Sequence, residues 1–144
     1  MLLNSINKGL FTLTTSGDNG ISRPSNIFSY NPGAEWASAT LAEGVEPYLQ
    51  IQCPFPVSIH KFAIRSKRGQ LDHILSWSLT ASTNGQDFVN LYQSEVELEN
   101  TSLQIFNVDH TIGSFSYFRI TIKTYAGSNP GLAYFNMYTV DPVF

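Results

Sequence analysis

Half of the basic side chains in this 144-residue chain fall within eight positions: Lys61, Arg65, Lys67 and Arg68, out of eight Lys and Arg in all. Cations gathered in this way suit a partner that carries negative charge; a solubilising loop is the alternative. The three histidines, His60, His73 and His110, have no metal-ligand spacing, and no Cys or carboxylate completes a set around them. Cys53 is the only cysteine, so no internal disulfide forms, and its place in the alternating run YLQIQC reads as a buried, inert thiol. Glu95, Glu97 and Glu99 lie on a polar stretch and read as a solvated surface. The chain has neither a Gly-x-Ser-x-Gly elbow nor a phosphate-binding glycine loop. Catalysis is not the expected activity, and recognition is.

The totals narrow the class. A hydrophobic fraction of 42% is ordinary for a globular protein, whereas a charged fraction of 13% is low. The surface must therefore be covered largely by Ser, Thr, Asn and Gln. A net charge of −3 argues against a general nucleic-acid binder. The opening MLLNSINKGLF is too short and too polar for a signal peptide or an anchor, although an extracellular or virion-surface setting suits the composition. At loop tips only Ile21 and Ile74-Leu75 are apolar spikes, so a membrane is not an expected partner. The length fits one domain over residues 1–144.

The elements that must position these residues are strands. No segment keeps helical periodicity over three or four turns, and short alternating runs bounded by Gly, Pro, Asn and Ser recur instead. Strands are predicted near 10–15, 36–40, 48–53, 57–66, 76–82, 88–95, 102–108, 116–124 and 132–140. In SYFRITIKT the apolar Phe118, Ile120 and Ile122 alternate with Arg119, Thr121 and Lys123, giving one dry and one wet face, as in an antiparallel sheet. Val57 and Ile59 share a parity that Phe62 and Ile64 do not, and a β-bulge near Lys61 reconciles them. Asn84-Gly85 in WSLTASTNGQDFVNLY predicts a hairpin with a type I′ turn. Residues 16–35, 66–75 and 125–131 are read as irregular loops, the first two long enough to suggest function.

The order of these elements resembles the discoidin, or coagulation factor 5/8 type C, family. This belongs to the galactose-binding-like β-sandwiches, which include family 32 carbohydrate-binding modules. EWASA at 35–39 is similar to the family's early Trp-x-Ser element. EPYLQIQCPFPVSIHKFAIRS resembles its Trp-Leu-Gln strand followed by a strand ending in a basic residue. WSLTASTNGQDFVNLY resembles its strand ending in Ser-x-Asp/Asn-Gly with an aromatic after it. SYFRITIKTY and LAYFNMYTV resemble its last two strands, so the likeness covers roughly residues 10 to 140.

The resemblance implies an all-β antiparallel sandwich, or jelly roll, whose loops at one end bind glycans. It places Arg65 after the fourth core strand and Tyr125 in the final loop, at positions matching the sugar-binding branch. Gln70 stands where that branch has an Asn, and His73, Tyr30, Arg68 and Asn129 lie on the same set of loops. The basic cluster makes an anionic glycan one version of the ligand. No cofactor is expected. The structural Ca²⁺ of that branch needs an anionic oxygen, and this chain has Ser29–Gly33 and Asn136 at the two places that supply it. The rival expectation is a structural or protein-interaction module of a larger assembly, such as a phage virion or tail fibre, with other subunits as partners and no small ligand.

Overall fold

The computed structural model describes residues 11–20, 25, 27, 35–68, 72–100 and 102–139. Tyr30, Gln70, Ile21 and most of the 16–35 loop lie outside them.

Among the described residues there are nine strands: β1 (Thr12–Thr15), β2 (Trp36–Ala37), β3 (Tyr48–Val57), β4 (Ile59–Ser66), β5 (His73–Ser82), β6 (Phe88–Ser94), β7 (Gln104–Asn107), β8 (Phe115–Ala126) and β9 (Gly131–Thr139). They form two sheets in the orders β1-β3-β8-β5-β6 and β2-β9-β4-β7, and every pairing is antiparallel. The chain is thus the all-β sandwich that the alternation and the resemblance both called for. Leu49, Ile51, Trp77, Leu79, Phe118 and Ile120 of the first sheet face Trp36, Phe62, Ile64, Phe135 and Met137 of the second in one buried cluster. Aromatic contacts cross the gap: the Phe62 ring meets Trp77 edge-on at 5.9 Å, and Phe106 lies 4.7 Å from Tyr92.

Three local expectations change in detail. The β4–β9 register does shift between Ile59 and Lys61, which brings Phe62 and Ile64 inward. The hairpin between β5 and β6 is present, but its turn is not type I′, because Asn84 does not take a positive φ and Gly85 alone does (+80°). Here the Asn84 side chain replaces the two-residue turn: its Oδ1 accepts the N–H groups of Gln86 and Asp87 at 2.9 Å each, and Ser82 Oγ accepts those of Asn84 and Gly85. The third change matters most for function. His73, Ile74 and Leu75 belong to β5, not to a loop, and Tyr125 and Ala126 belong to β8. Two compensating bulges hide this from the sequence. The pairs Ile74↔Tyr125, Ser76↔Thr124 and Trp77↔Ile122 leave Leu75 and Lys123 without cross-strand partners. Each bulge reverses side-chain parity, so the period of two that marks the rest of these strands disappears at their ends.

Candidate functional site

The end of β4, the start of β5, the end of β8 and the start of β9 meet at one rim of the sandwich. The rim is organised around Asp72. Its Oδ1 accepts the backbone N–H groups of Ser128 and Asn129 at 3.0 Å each, and its Oδ2 accepts from Lys67 Nζ at 2.9 Å. Lys67 Nζ also donates to the Asn129 carbonyl at 2.7 Å, and Lys67 N–H to the Gly131 carbonyl. Asn129 Nδ2 reaches across to the Ser38 carbonyl (2.9 Å) and to Thr40 Oγ1 (3.2 Å). One ion pair therefore ties together the β4–β5, β8–β9 and post-β2 connections. Burial raises the Asp72 pKa, but the Lys67 ammonium and the two backbone donors outweigh it and hold the carboxyl below its usual range.

The sequence-derived residues occupy different parts of this rim. Asp72 is paired with Lys67, which takes that member of the basic cluster out of reach of a ligand. Arg65 lies opposite Tyr134 in β9 and points away from the core, since its neighbours Ile64 and Ser66 are buried. Its Nε is buried without a hydrogen-bond partner. Tyr125 is half-buried and turns inward from the other sheet to pack on the core beside Ile74, a consequence of the double bulge. Arg65 and Tyr125 thus share an end of the sandwich but stand on opposite sides of the β4 layer. Arg68 is exposed, and its N–H donates to Glu35 Oε2 at 2.9 Å. Asn129 is spent on loop-to-loop bonds. The basic cluster is not one patch: Lys61 lies over the Tyr138 ring at 4.9 Å, about 13 Å of strand from Arg65, and Lys67 is turned into the rim.

The structure adds an open groove of about 440 Å³ on this rim, lined by His73, Val96, Glu97, Leu98, Glu99 and Asn100. His73 Nδ1 lies 2.8 Å from Glu97 Oε1. The far wall is held in place by backbone bonds from Leu98 N–H to the Ile74 carbonyl and from Ser66 N–H to the Glu99 carbonyl. Glu95, Glu97 and Glu99 are exposed, as expected of a solvated face. Backbone bonds from the β6–β7 connection to Ile74 and Ser66 bring residues 97–100 against His73, and no local pattern announces them. Among the described residues no cluster of His, Cys, Asp and Glu forms a metal centre.

No family model matches the chain, and no curated protein matches it. Solved structures do. The CpGH89CBM32-5 module from Clostridium perfringens, in complex with GalNAc-beta-1,3-galactose, superposes with a TM-score of 0.75 at 13% identity, covering 91% of this chain and 96% of that one. The chain has the family 32 carbohydrate-binding-module fold. The family 32 module of C. perfringens NanJ, in complex with galactose, gives 0.73 at 16% identity, with 90% and 94% covered. Chitosan-binding module 1 of a Paenibacillus sp. IK-5 chitosanase/glucanase gives 0.72 at 14% identity, with 90% and 95% covered. This galactose-binding-like sandwich therefore extends over nine-tenths of the chain while little of the sequence is shared.

Proposed function

We propose that the chain is a non-catalytic glycan-binding module that engages saccharide at the β4–β5/β8–β9 rim. The observation that carries this reading is the groove beside His73, an open and polar-walled space built on a cross-tied rim. A saccharide site needs a few polar groups held in fixed directions, and the Lys67–Asp72–Asn129 lattice supplies the rigidity. His73, Glu97 and Asn100 present the polar atoms. Arg65 and Arg68 flank them and would favour an acidic sugar. Tyr125 contributes from below, as support for the rim, and Asn129 shapes the loop without itself reading the ligand. Tyr30 and Gln70, outside the described residues, stay in the proposed set on the family resemblance alone.

The neighbours bind different sugars on one fold: galactose, GalNAc-beta-1,3-galactose and chitosan. One fold therefore accommodates different saccharides, and little of the neighbours' sequence is retained here. A catalytic role has little chemical support. A glycosidase acid needs a raised carboxyl pKa, and Asp72, the carboxylate at the centre of the rim, is shifted the other way. A shallow open groove implies weak binding per site, compensated by multivalent display.

The test is a glycan array followed by calorimetric titration of the best ligand into the wild type and into His73→Ala, Asn100→Ala, Arg65→Ala and Tyr125→Ala. Loss of affinity of tenfold or more in His73→Ala and Asn100→Ala is expected. Affinity unchanged across all four variants removes the site. Raising the salt concentration weakens binding only if the ligand is acidic.

A further inference from the structure

A second groove, of about 400 Å³, crosses the outer face of the five-stranded sheet, away from the rim. Arg119 of β8 lies along it. The guanidinium carbon sits 4.3 Å from the Tyr48 ring centroid and 4.5 Å from that of Phe88, so two aromatic rings hold it by cation–π contact. Gln50 Oε1 accepts from Nε (3.0 Å) and Nη2 (2.7 Å), which closes one edge. A guanidinium has five N–H donors. Two are used; of the three that remain, two lie side by side on the Nη1–Nη2 edge, away from Gln50. The arrangement is a fork with its plane and direction already fixed, the geometry that a carboxylate accepts in bidentate fashion.

Two features point to an occupant larger than a simple anion. Ser78, on the groove lining, is 3% exposed, and its buried hydroxyl has no hydrogen-bond partner. That hydroxyl is itself closed to solvent, so Ser78 forms part of the floor without offering a ligand a contact. Beside it Thr80 and Thr121 carry hydroxyls, so the floor can exchange hydrogen bonds with a polyhydroxylated ring. Lys123 lies at one end, 3.4 Å from Glu46, and this exposed pair yields easily to a competing carboxylate. The volume is in the range of small-ligand sites.

We infer that this groove is a second saccharide subsite selective for a sugar that bears a carboxylate, with the open edge of Arg119 as its partner. The saccharide half rests on the glycan-binding reading proposed above, while the carboxylate half rests on Arg119 and its surroundings. Occupation of both sites by one acidic polysaccharide would raise avidity without a stronger contact at either.

The test is NMR titration of the full chain with trigalacturonate, with neutral galactotriose and with sodium acetate at equal carboxylate concentration. Backbone amides of Thr80 and Thr121 and the Arg119 side-chain Nε–H report on the face, and those of His73 and Asn100 report on the rim. Trigalacturonate is expected to move the face signals, with little response to galactotriose or acetate. Arg119→Lys keeps the charge and the stem between the rings but loses the fork, and Thr121→Val is nearly isosteric; each should weaken the face response at least tenfold. Silent face signals with trigalacturonate, an equal response to acetate, or full retention in both variants overturns the inference. Face signals silent while rim signals respond to an array-selected sugar would leave the rim reading standing. A silent rim with a responsive face would do the reverse.

Discussion

Lys67 Nζ stands 2.9 Å from Asp72 Oδ2 across the connection between β4 and β5, and the other oxygen of that carboxylate receives two backbone N–H groups from the connection between β8 and β9. The side chains are 12% and 19% exposed, so both charges are largely shielded, and each is paired. Replacing Asp72 with Asn removes the charge while keeping the shape. It strips the ammonium of its counter-ion and weakens two charge-assisted bonds. Urea denaturation should show Asp72→Asn less stable by about 1.5–3 kcal/mol, and the β8–β9 amides should exchange faster with solvent.

The same carboxylate sets an acid limit. Its folded pKa lies below its unfolded value, so the unfolded chain takes up the proton more readily. The stabilisation it provides is complete above the ordinary carboxylate range near ~4 and is lost as pH falls through the lower folded value. Thermal unfolding of the wild type and Asp72→Asn from pH 7 down to pH 2 should therefore show a wide gap that closes in acid. A gap constant across that range would remove the ionised carboxylate from the account.

Gly131 opens β9 at the point where β2 crosses closest. A Cβ built there would lie 1.9 Å from the Trp36 carbonyl oxygen, and that obstacle is backbone, which cannot rotate aside. Gly131→Ala must push β2 off β9, breaking the Ala37↔Gly131 pairing and disturbing the buried Trp36. A loss of about 1–3 kcal/mol is expected, together with a red shift of Trp36 fluorescence. Wild-type stability would mean that the strands do not approach so closely.

Cys53 faces the core from β3, and burial pushes its thiol pKa up to about 12. Thiolate is the reactive form, so Ellman's reagent at pH 8 should leave the native protein unlabelled and label it quickly in urea. The sign for stability is opposite to that of Asp72. The contribution is present below the unfolded thiol's pKa and fades as pH rises above it. Prompt labelling of the native chain would contradict the burial of this thiol.

The nine strands among the described residues were legible in the sequence, most plainly where a half-buried strand writes its burial as a period of two. Phe118, Ile120 and Ile122 on one side of β8, with Arg119, Thr121 and Lys123 on the other, show it plainly. The order of the elements also carried the sandwich, which the solved neighbours share. Legibility stopped where the period stopped. At the β5 start and the β8 end a compensating pair of bulges resets parity, so His73 read as loop and the inward turn of Tyr125 was invisible.

Composition and alternation are properties of neighbours along the chain, so they were enough to announce antiparallel strands and a buried thiol, while the sandwich came with the family resemblance. Charge neutralisation, close approach and groove formation depend on residues far apart in sequence. Lys67 belongs to a basic run along the chain and is neutralised only where Asp72 and Asn129 close on it, and Glu97, exposed as expected, gains His73 at 2.8 Å only through the fold. Arg119 seemed an ordinary wet-face residue until Tyr48, Gln50 and Phe88 arrived from two other strands. Those encounters are set by sheet register, which folding establishes through burial of the whole core and which no local stretch of residues encodes.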